Sequence, residues 1–349
     1  MPSLPPKAHF EQLHKALPVS LIYLQNSKGW MAALTNYGAR LVSLLIPDRH
    51  GEFINVVAGF DSLNGYLNSS EHYYGATVGR YANRIASAQF SIGQKVFHLV
   101  TEDPGFCLHG GPQGFHQQVW DIQSFTKDQV FFHYTSPDGE MGFPGKLEVA
   151  VIYQMTENGL RIQYEATTDQ PTVCNLTHHS FFNLNGKGTV EEHGLLIHAD
   201  YYLPMNDHWI PTGELALVKD SPFDFNTMMP LGSRIDSKHP QLKLAGGYDH
   251  NFVLRNEPGI PAAVATGNRS GITMSLYTDK PGLQLYTTNG LAGKNLLSNG
   301  ECDVPRSSFC LEPQLFPNSP NEPAFPSALL LPGQHYQHVT DLQFSLGLL

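Results

Sequence analysis

Two runs of strict alternation meet across a short turn near the middle of this chain, and they constrain its fold more than any other feature. In the first, Leu147, Val149, Val151 and Tyr153 alternate with Lys146, Glu148, Ala150 and Ile152. After Thr156-Glu157-Asn158-Gly159, the residues Leu160, Ile162, Tyr164 and Ala166 alternate with Arg161, Gln163, Glu165 and Thr167. A period of two sends successive side chains to opposite faces of an extended strand, so two such runs joined through Asn-Gly predict an antiparallel hairpin. Similar runs recur at 20–24, 31–34, 41–46, 130–134, 271–277, 283–287 and 335–345, while helical periodicity is scarce. Turn-forming clusters such as Pro137-Asp138-Gly139 and Ser298-Asn299-Gly300 separate them, in a chain with 32 Gly and 25 Pro. No internal repeat, low-complexity run or linker divides it. The expectation is all-β: one large single-domain antiparallel β-sandwich over residues 1–349, with 1–17 a loosely ordered N-terminal arm.

Composition narrows the partners. A formal charge of −10 argues against nucleic acid or an anionic membrane surface, since both call for clustered Lys and Arg. The N-terminus has no apolar signal-peptide core, and apolar stretches such as 41–46 and 329–331 are too short to cross a bilayer. Four cysteines at 107, 174, 302 and 310 form no C-x-x-C pair, so a reducing cytoplasm is expected rather than a disulfide framework. Among 17 histidines there is no H-E-x-x-H, and adjacent His178 and His179 point to opposite strand faces; no metal is expected.

The segment from Val173 to Asn183 carries the densest chemistry. Read as one strand, it groups Val173, Asn175, Thr177, His179 and Phe181 on one face, and Cys174, Leu176, His178, Ser180 and Phe182 on the other. The first face sets an imidazole beside an amide, a hydroxyl and a flat ring, a set that suits a polyhydroxylated ligand that also needs a proton. The second face reads as packing. Five further segments place polar groups where a plain β core does not need them. Gly79-Arg80-Tyr81-Ala82-Asn83-Arg84-Ile85 carries a planar guanidinium fork suited to vicinal hydroxyls, or else a surface ion pair. Leu108-His109-Gly110-Gly111 sets an imidazole beside glycines that let backbone approach a ligand, or else forms a tight turn. Asp249 in Gly247-Tyr248-Asp249-His250 binds hydroxyls, orients a histidine or caps a turn, and Gln284 is a neutral amide near a strand end. In Ser308-Phe309-Cys310-Leu311-Glu312-Pro313-Gln314 one carboxylate leaves an apolar strand for a proline-crowded loop, where desolvation raises its pKa toward that of a useful base.

In this order, G-R-x-A-N-R-I, L-H-G-G, N-L-T-x-H-S-x-F-N-L, G-x-D-H-N-F and F-C-L-E-x-Q resemble the aldose 1-epimerase (galactose mutarotase) family, from Asn36 through Gly333. The resemblance implies a galactose mutarotase-like supersandwich that interconverts the α and β anomers of free hexoses, such as galactose and glucose, without a cofactor. It implies Glu312 as general base, His179 as general acid and His109 as its assistant. Arg84, Asp249 and Gln284 would bind sugar hydroxyls, with Asn83 in support; the partner is an aldohexose, and the state monomer or homodimer.

The chemistry fits those residue types. Anomer exchange removes the proton of the C1 hydroxyl while the ring oxygen O5 receives one. The ring opens, the aldehyde turns about C1–C2, and closure follows on the other face. A carboxylate and an imidazole on opposite sides of a pocket are expected to suffice, with Glu312 and Asp249 keeping His179 charged near neutral pH. Two departures stand out. Pro313 follows the Glu where the family usually has a small hydroxyl residue, and Asn318 follows Pro317 where Pro-Asp is usual; position 178, often an amide, is His. Competing readings are a hexose-6-phosphate 1-epimerase, which calls for extra Arg or Lys at the rim, a glycoside hydrolase pairing Glu312 with Asp249, and a non-catalytic sugar-binding module.

Overall fold

The central alternating runs form two ten-residue antiparallel strands, Leu147–Thr156 and Gly159–Thr168. A computed structural model describes residues 4–103 and 105–347. Thr156 pairs with Gly159, so the turn is only Glu157 and Asn158. Gly159 is there for space: a Cβ would lie 1.8 Å from the Leu342 carbonyl oxygen of the neighbouring strand. Along the first strand Leu147, Val149, Val151 and Tyr153 are buried, as their period requires.

These strands lie inside a nine-stranded antiparallel sheet. Its order is Asp121–Phe125, Gln129–Ser136, Leu147–Thr156, Gly159–Thr168, Tyr336–Leu346, Ile272–Thr278, Ala263–Thr266, Gly194–Ile197, Met229–Pro230. A five-stranded sheet runs Ala216–Leu217, Ala199–Tyr202, Asp249–Leu254, Gly282–Tyr286, Cys310–Gln314, and a four-stranded sheet covers Leu21–Gln25 to Phe53–Asn55. One apolar core joins them: Val151, Ile162 and Leu342 meet Leu34 and Leu44 of the four-stranded sheet and Phe252, Leu285 and Leu311 of the five-stranded one. The α-helices among the described residues are two of six residues each, Leu63–Asn68 and Pro240–Ala245. The all-β sandwich expected from alternation is the observed architecture.

Three expectations are corrected. From residue 7 the arm expected over 1–17 is docked: a 3-10 turn at Lys7–His9 leads to Phe10, fully buried against Tyr66, and then to a hairpin of Gln12–His14 with Leu17–Val19. Residues 1–3 of that expectation lie outside the described residues. The single strand read over 173–183 is three short ones. Thr172–Val173 pairs with Leu329–Leu330, Thr177–His179 with Ala76–Val78, and Phe181–Phe182 with Val57–Ala58. Between the first two, Asn175 holds the gap, its Nδ2 donating to the Ala82 carbonyl and its Oδ1 accepting from the Leu315 N–H. Glu312, expected at the exit into a loop, sits inside the strand Cys310–Gln314. That strand is at the sheet edge, where Pro313 costs no ladder donor.

Candidate active site

The strand Thr177–His179 sends its alternate residues in opposite directions, and that alternation separates the two histidines. His178 enters the core fully buried, near Phe182, its Nδ1 within 3.3 Å of the Ser180 hydroxyl. His179 faces a cavity. Its ring stacks between Phe181 (centroids 4.9 Å apart) and Tyr73 (5.5 Å), so the imidazole is held in one plane.

Across from it, three neighbouring strands of the five-stranded sheet supply acid and amide groups. Gln284 pairs in register with both Glu312 and Asn251, and Asp249 lies on the same strand as Asn251, one step along the same face. Gln284 Nε2 donates to Asp249 Oδ1 at 2.6 Å, leaving the Gln284 carbonyl oxygen without a protein partner. Asp249 Oδ2 lies 4.0 Å from an Arg84 Nη, which brings the guanidinium to the same wall. Arg84 is itself sandwiched, its guanidinium 5.0 Å from the Phe106 ring centre and 5.7 Å from that of Trp209.

The strand Arg84–Ala86 pairs with Phe106–Leu108, and just beyond that ladder two residues adopt left-handed backbone, Asn83 (φ 66°) and His109 (φ 50°). They lock each other. The His109 N–H donates to the Asn83 carbonyl and the Asn83 N–H donates to His109 Nδ1, both at 3.1 Å. With Nδ1 accepting, the neutral ring carries its proton on Nε2. The glycine beside it serves the protein, not a ligand: a Cβ on Gly110 (φ +84°) would lie 2.0 Å from the Gly79 carbonyl oxygen. Arg80, the other arginine of its segment, is buried and gives its Nη1 to the Pro144 and Gly145 carbonyls.

All seven residues singled out from sequence (Asn83, Arg84, His109, His179, Asp249, Gln284 and Glu312) line one cavity of about 140 Å³. Leu108, Glu71, Tyr73 and Tyr286 complete the wall and were missed. Tyr286 sits in an alternating run and was within reach of the pattern, whereas Glu71 and Tyr73 lie in a loop with no periodic or motif signal. The key distance is 3.6 Å from His179 Nε2 to Glu312 Oε1, with side chains 6% and 2% exposed. The pair stands side by side, not on opposite sides of the pocket as expected. The chemistry explains why: O1 and O5 are bonded to the same carbon, so a donor and an acceptor serving both must be neighbours.

Burial also corrects the expected charge state. It pushes the Glu312 carboxyl well above the usual range, with Asp249 and Glu71 adding like charge, and it lowers His179 to about 3. His109 is held well below 6.5, first by burial and then by His179 and Arg84. Nearby carboxylates therefore do not keep His179 cationic against its burial. Both directions favour a carboxylic acid beside a neutral imidazole. That arrangement holds one proton, as does a carboxylate beside an imidazolium, so the pair is one proton shared between two sites. Glu312 Oε2 and His179 Nδ1 are buried without hydrogen-bond partners. His109, His179 and Glu312 also bring one ring nitrogen or carboxylate oxygen each within 4.8 Å of one another, wider than the spacing around a tetrahedral zinc.

A β-sandwich pocket in which a carboxyl and an imidazole lie 3.6 Å apart, ringed by amide, carboxylate and guanidinium groups, is a site for acid–base chemistry on a polyhydroxylated molecule. The family profile described as aldose 1-epimerase matches residues 20–343. The chain is 41% identical over 318 residues to galactose mutarotase of Mus musculus, covering 90% of this chain and 91% of that protein. It is 35% identical over 334 residues to aldose 1-epimerase of Escherichia coli K12, covering 94% and 95%. Among solved structures it resembles an aldose epimerase homologue from C. elegans (TM-score 0.88, 30% identity, 94% of this chain and 99% of that one). A galactose 1-epimerase from Lactobacillus acidophilus gives a TM-score of 0.85 at 28% identity, covering 97% of each chain. The chain belongs to the aldose 1-epimerase family.

Proposed function

We propose that this chain is an isomerase, an aldose 1-epimerase that interconverts the α and β anomers of free hexoses such as galactose and glucose. The observation that carries the reading is the 3.6 Å His179–Glu312 contact at the wall of the shared cavity. Arg84, Asp249, Gln284 and Asn83 hold the sugar hydroxyls. Glu312 as carboxylate takes the O1 proton while His179 as imidazolium gives one to O5, and His109 offers its Nε2–H to the same oxygens. Opening the ring converts the ionised pair into acid plus neutral imidazole, the form that burial favours, so desolvation assists that step. After rotation about C1–C2 the two groups exchange roles and the ring closes on the other face. Before chemistry, hydrogen bonds from the bound sugar stabilise the carboxylate form.

The reading extends to a single domain over residues 1–349 acting as monomer or homodimer, with no cofactor and no nucleic-acid or membrane partner, in cytoplasmic hexose metabolism. Cys107, Cys174, Cys302 and Cys310 are all free thiols, in keeping with a reducing compartment. Arg84 is the one Lys or Arg among the described residues lining the cavity, little to hold a phosphate, so unphosphorylated sugars are the better substrates. NMR exchange or polarimetry on fresh α-galactose and α-glucose tests the proposal. Acceleration by the parent should fall by about two orders of magnitude or more in Glu312→Gln and His179→Asn. A parent that binds sugar without accelerating exchange would show a binding module instead.

A further inference from the structure

Ring opening as derived above leaves one carboxylate of the cavity wall without a task. Glu71 lines the pocket with Asp249 and Glu312. It sits between the helix Leu63–Asn68 and the strand Ala76–Val78, in a loop fastened at its base. The Glu71 N–H donates to Ser69 Oγ at 3.1 Å, and Ser69 Oγ donates back to the Glu71 carbonyl at 2.6 Å. One side-chain oxygen, Oε1, accepts the Tyr73 N–H at 2.9 Å, which directs the carboxylate. Burial raises it to about 7, with the Tyr73 N–H and Arg40 pulling it back and Asp303 adding to the rise. Arg40 is fully buried behind the wall, its Nη groups donating to the Tyr74 and His116 carbonyls.

The cavity wall holds more carboxyl groups than cationic ones. Three carboxyl groups line it, and Arg84, already 4.0 Å from Asp249, is the single guanidinium among the described lining residues. His109 and His179 are held neutral by burial. Glu312 Oε2, on a side chain 2% exposed, has no partner. A neutral hexose brings no charge to oppose the burial that raises Glu71 and Glu312 toward their protonated forms. A sugar with a protonated amine does: the ammonium brings three donors and no acceptor, and its charge draws the facing carboxyls into their ionised form.

We propose that Glu71 contacts substrate directly and extends the substrates of this pocket to aldohexosamines, free amino sugars whose protonated amine it receives. The inference rests on the epimerase reading and changes nothing in the ring-opening step, in which the amine keeps its proton throughout.

The test is anomer exchange by NMR near pH 7 on galactose, galactosamine and N-acetylgalactosamine, whose amide carries no charge, with the parent, Glu71→Gln and Glu71→Asp. The parent should accelerate galactosamine with kcat/KM within about tenfold of its galactose value. In Glu71→Gln the galactosamine-to-galactose ratio should fall by about tenfold or more, through KM, while Glu71→Asp, which keeps the charge, restores part of it. The N-acetyl sugar should show no such dependence on residue 71. A parent active on galactose but at background on galactosamine overturns the inference and leaves the epimerase reading intact. Equal losses on both sugars in Glu71→Gln also overturn it, by assigning Glu71 only its bond to Tyr73. A parent active on neither sugar removes the epimerase reading itself.

Discussion

His179 and Glu312 each sit where burial opposes their charge, and the consequence is a pair that titrates as a unit. With one proton already on Glu312, a second must charge His179, whose pKa burial lowers to about 3. Losing the shared proton means ionising Glu312, whose pKa is raised well above the usual carboxylate value. The kcat/KM profile should therefore hold level through pH 6.5 and keep its acid limb below pH 5. An acid limb centred near the ordinary histidine value would show instead that His179 titrates alone. His109 needs no such titration, because the Asn83 N–H fixes its Nε2 proton. These residue types were legible in sequence. Their shared proton was not, since the 3.6 Å contact joins residues 133 positions apart (312 − 179) and burial depends on what surrounds them both.

The strand Arg84–Ala86 is held by two bonds to one loop residue, Asn318. Its Ala86 N–H donates to Asn318 Oδ1 at 2.9 Å, and the Arg84 carbonyl accepts from the Asn318 N–H at 2.7 Å. Asn318 has φ 63°, so it combines a left-handed turn with two bonds to the strand that carries the guanidinium. Position 318, where Asp is usual, is thus a clasp on the Arg84 strand that either residue's side-chain oxygen can make; the amide adds an Nδ2 donor to Glu322 Oε1 at 3.1 Å. Asn318→Gly, which keeps the turn but removes the side-chain acceptor, should cost about 1–3 kcal/mol in chemical denaturation, because the Ala86 N–H loses its partner. Sugar KM should rise more than kcat falls. Unchanged KM with reduced stability would confine Asn318 to a structural part. The broken strand over 172–182 shows the same dependence. Alternation assigned His178 and His179 to opposite faces correctly, but three different partner strands decide where pairing starts and stops, and none is adjacent in sequence.

Buried histidines link the whole molecule to pH. Burial lowers His178 and His250 to about 3 and His193 and His338 to about 4. An unfolded chain takes up a proton at each of them below about pH 6.5 and the folded chain does not, so their contribution is complete above that value and drains as pH falls toward the folded values. Glu312 and Glu71 run the other way, since their folded values are raised; their contribution grows as pH falls toward the ordinary carboxylate value. Burial lowers His109, His116 and His179 in the same way, so the histidines outnumber the two carboxyls. The urea midpoint should therefore drop between pH 7 and pH 5.5, as the unfolding free energy falls by up to about 1.4 kcal/mol per pH unit for each histidine not offset. A level or rising midpoint would contradict this balance. By itself the sequence determined the all-β class, the hairpin at 156–159 and the chemical identity of seven pocket residues, because period, turn residues and side-chain type are local properties. Only the tertiary structure decided that Glu71 and Tyr73 join them, that Pro313 lies at a sheet edge, and that an acid and a base stand side by side. Those depend on which distant strands pack together, and on the desolvation that packing imposes.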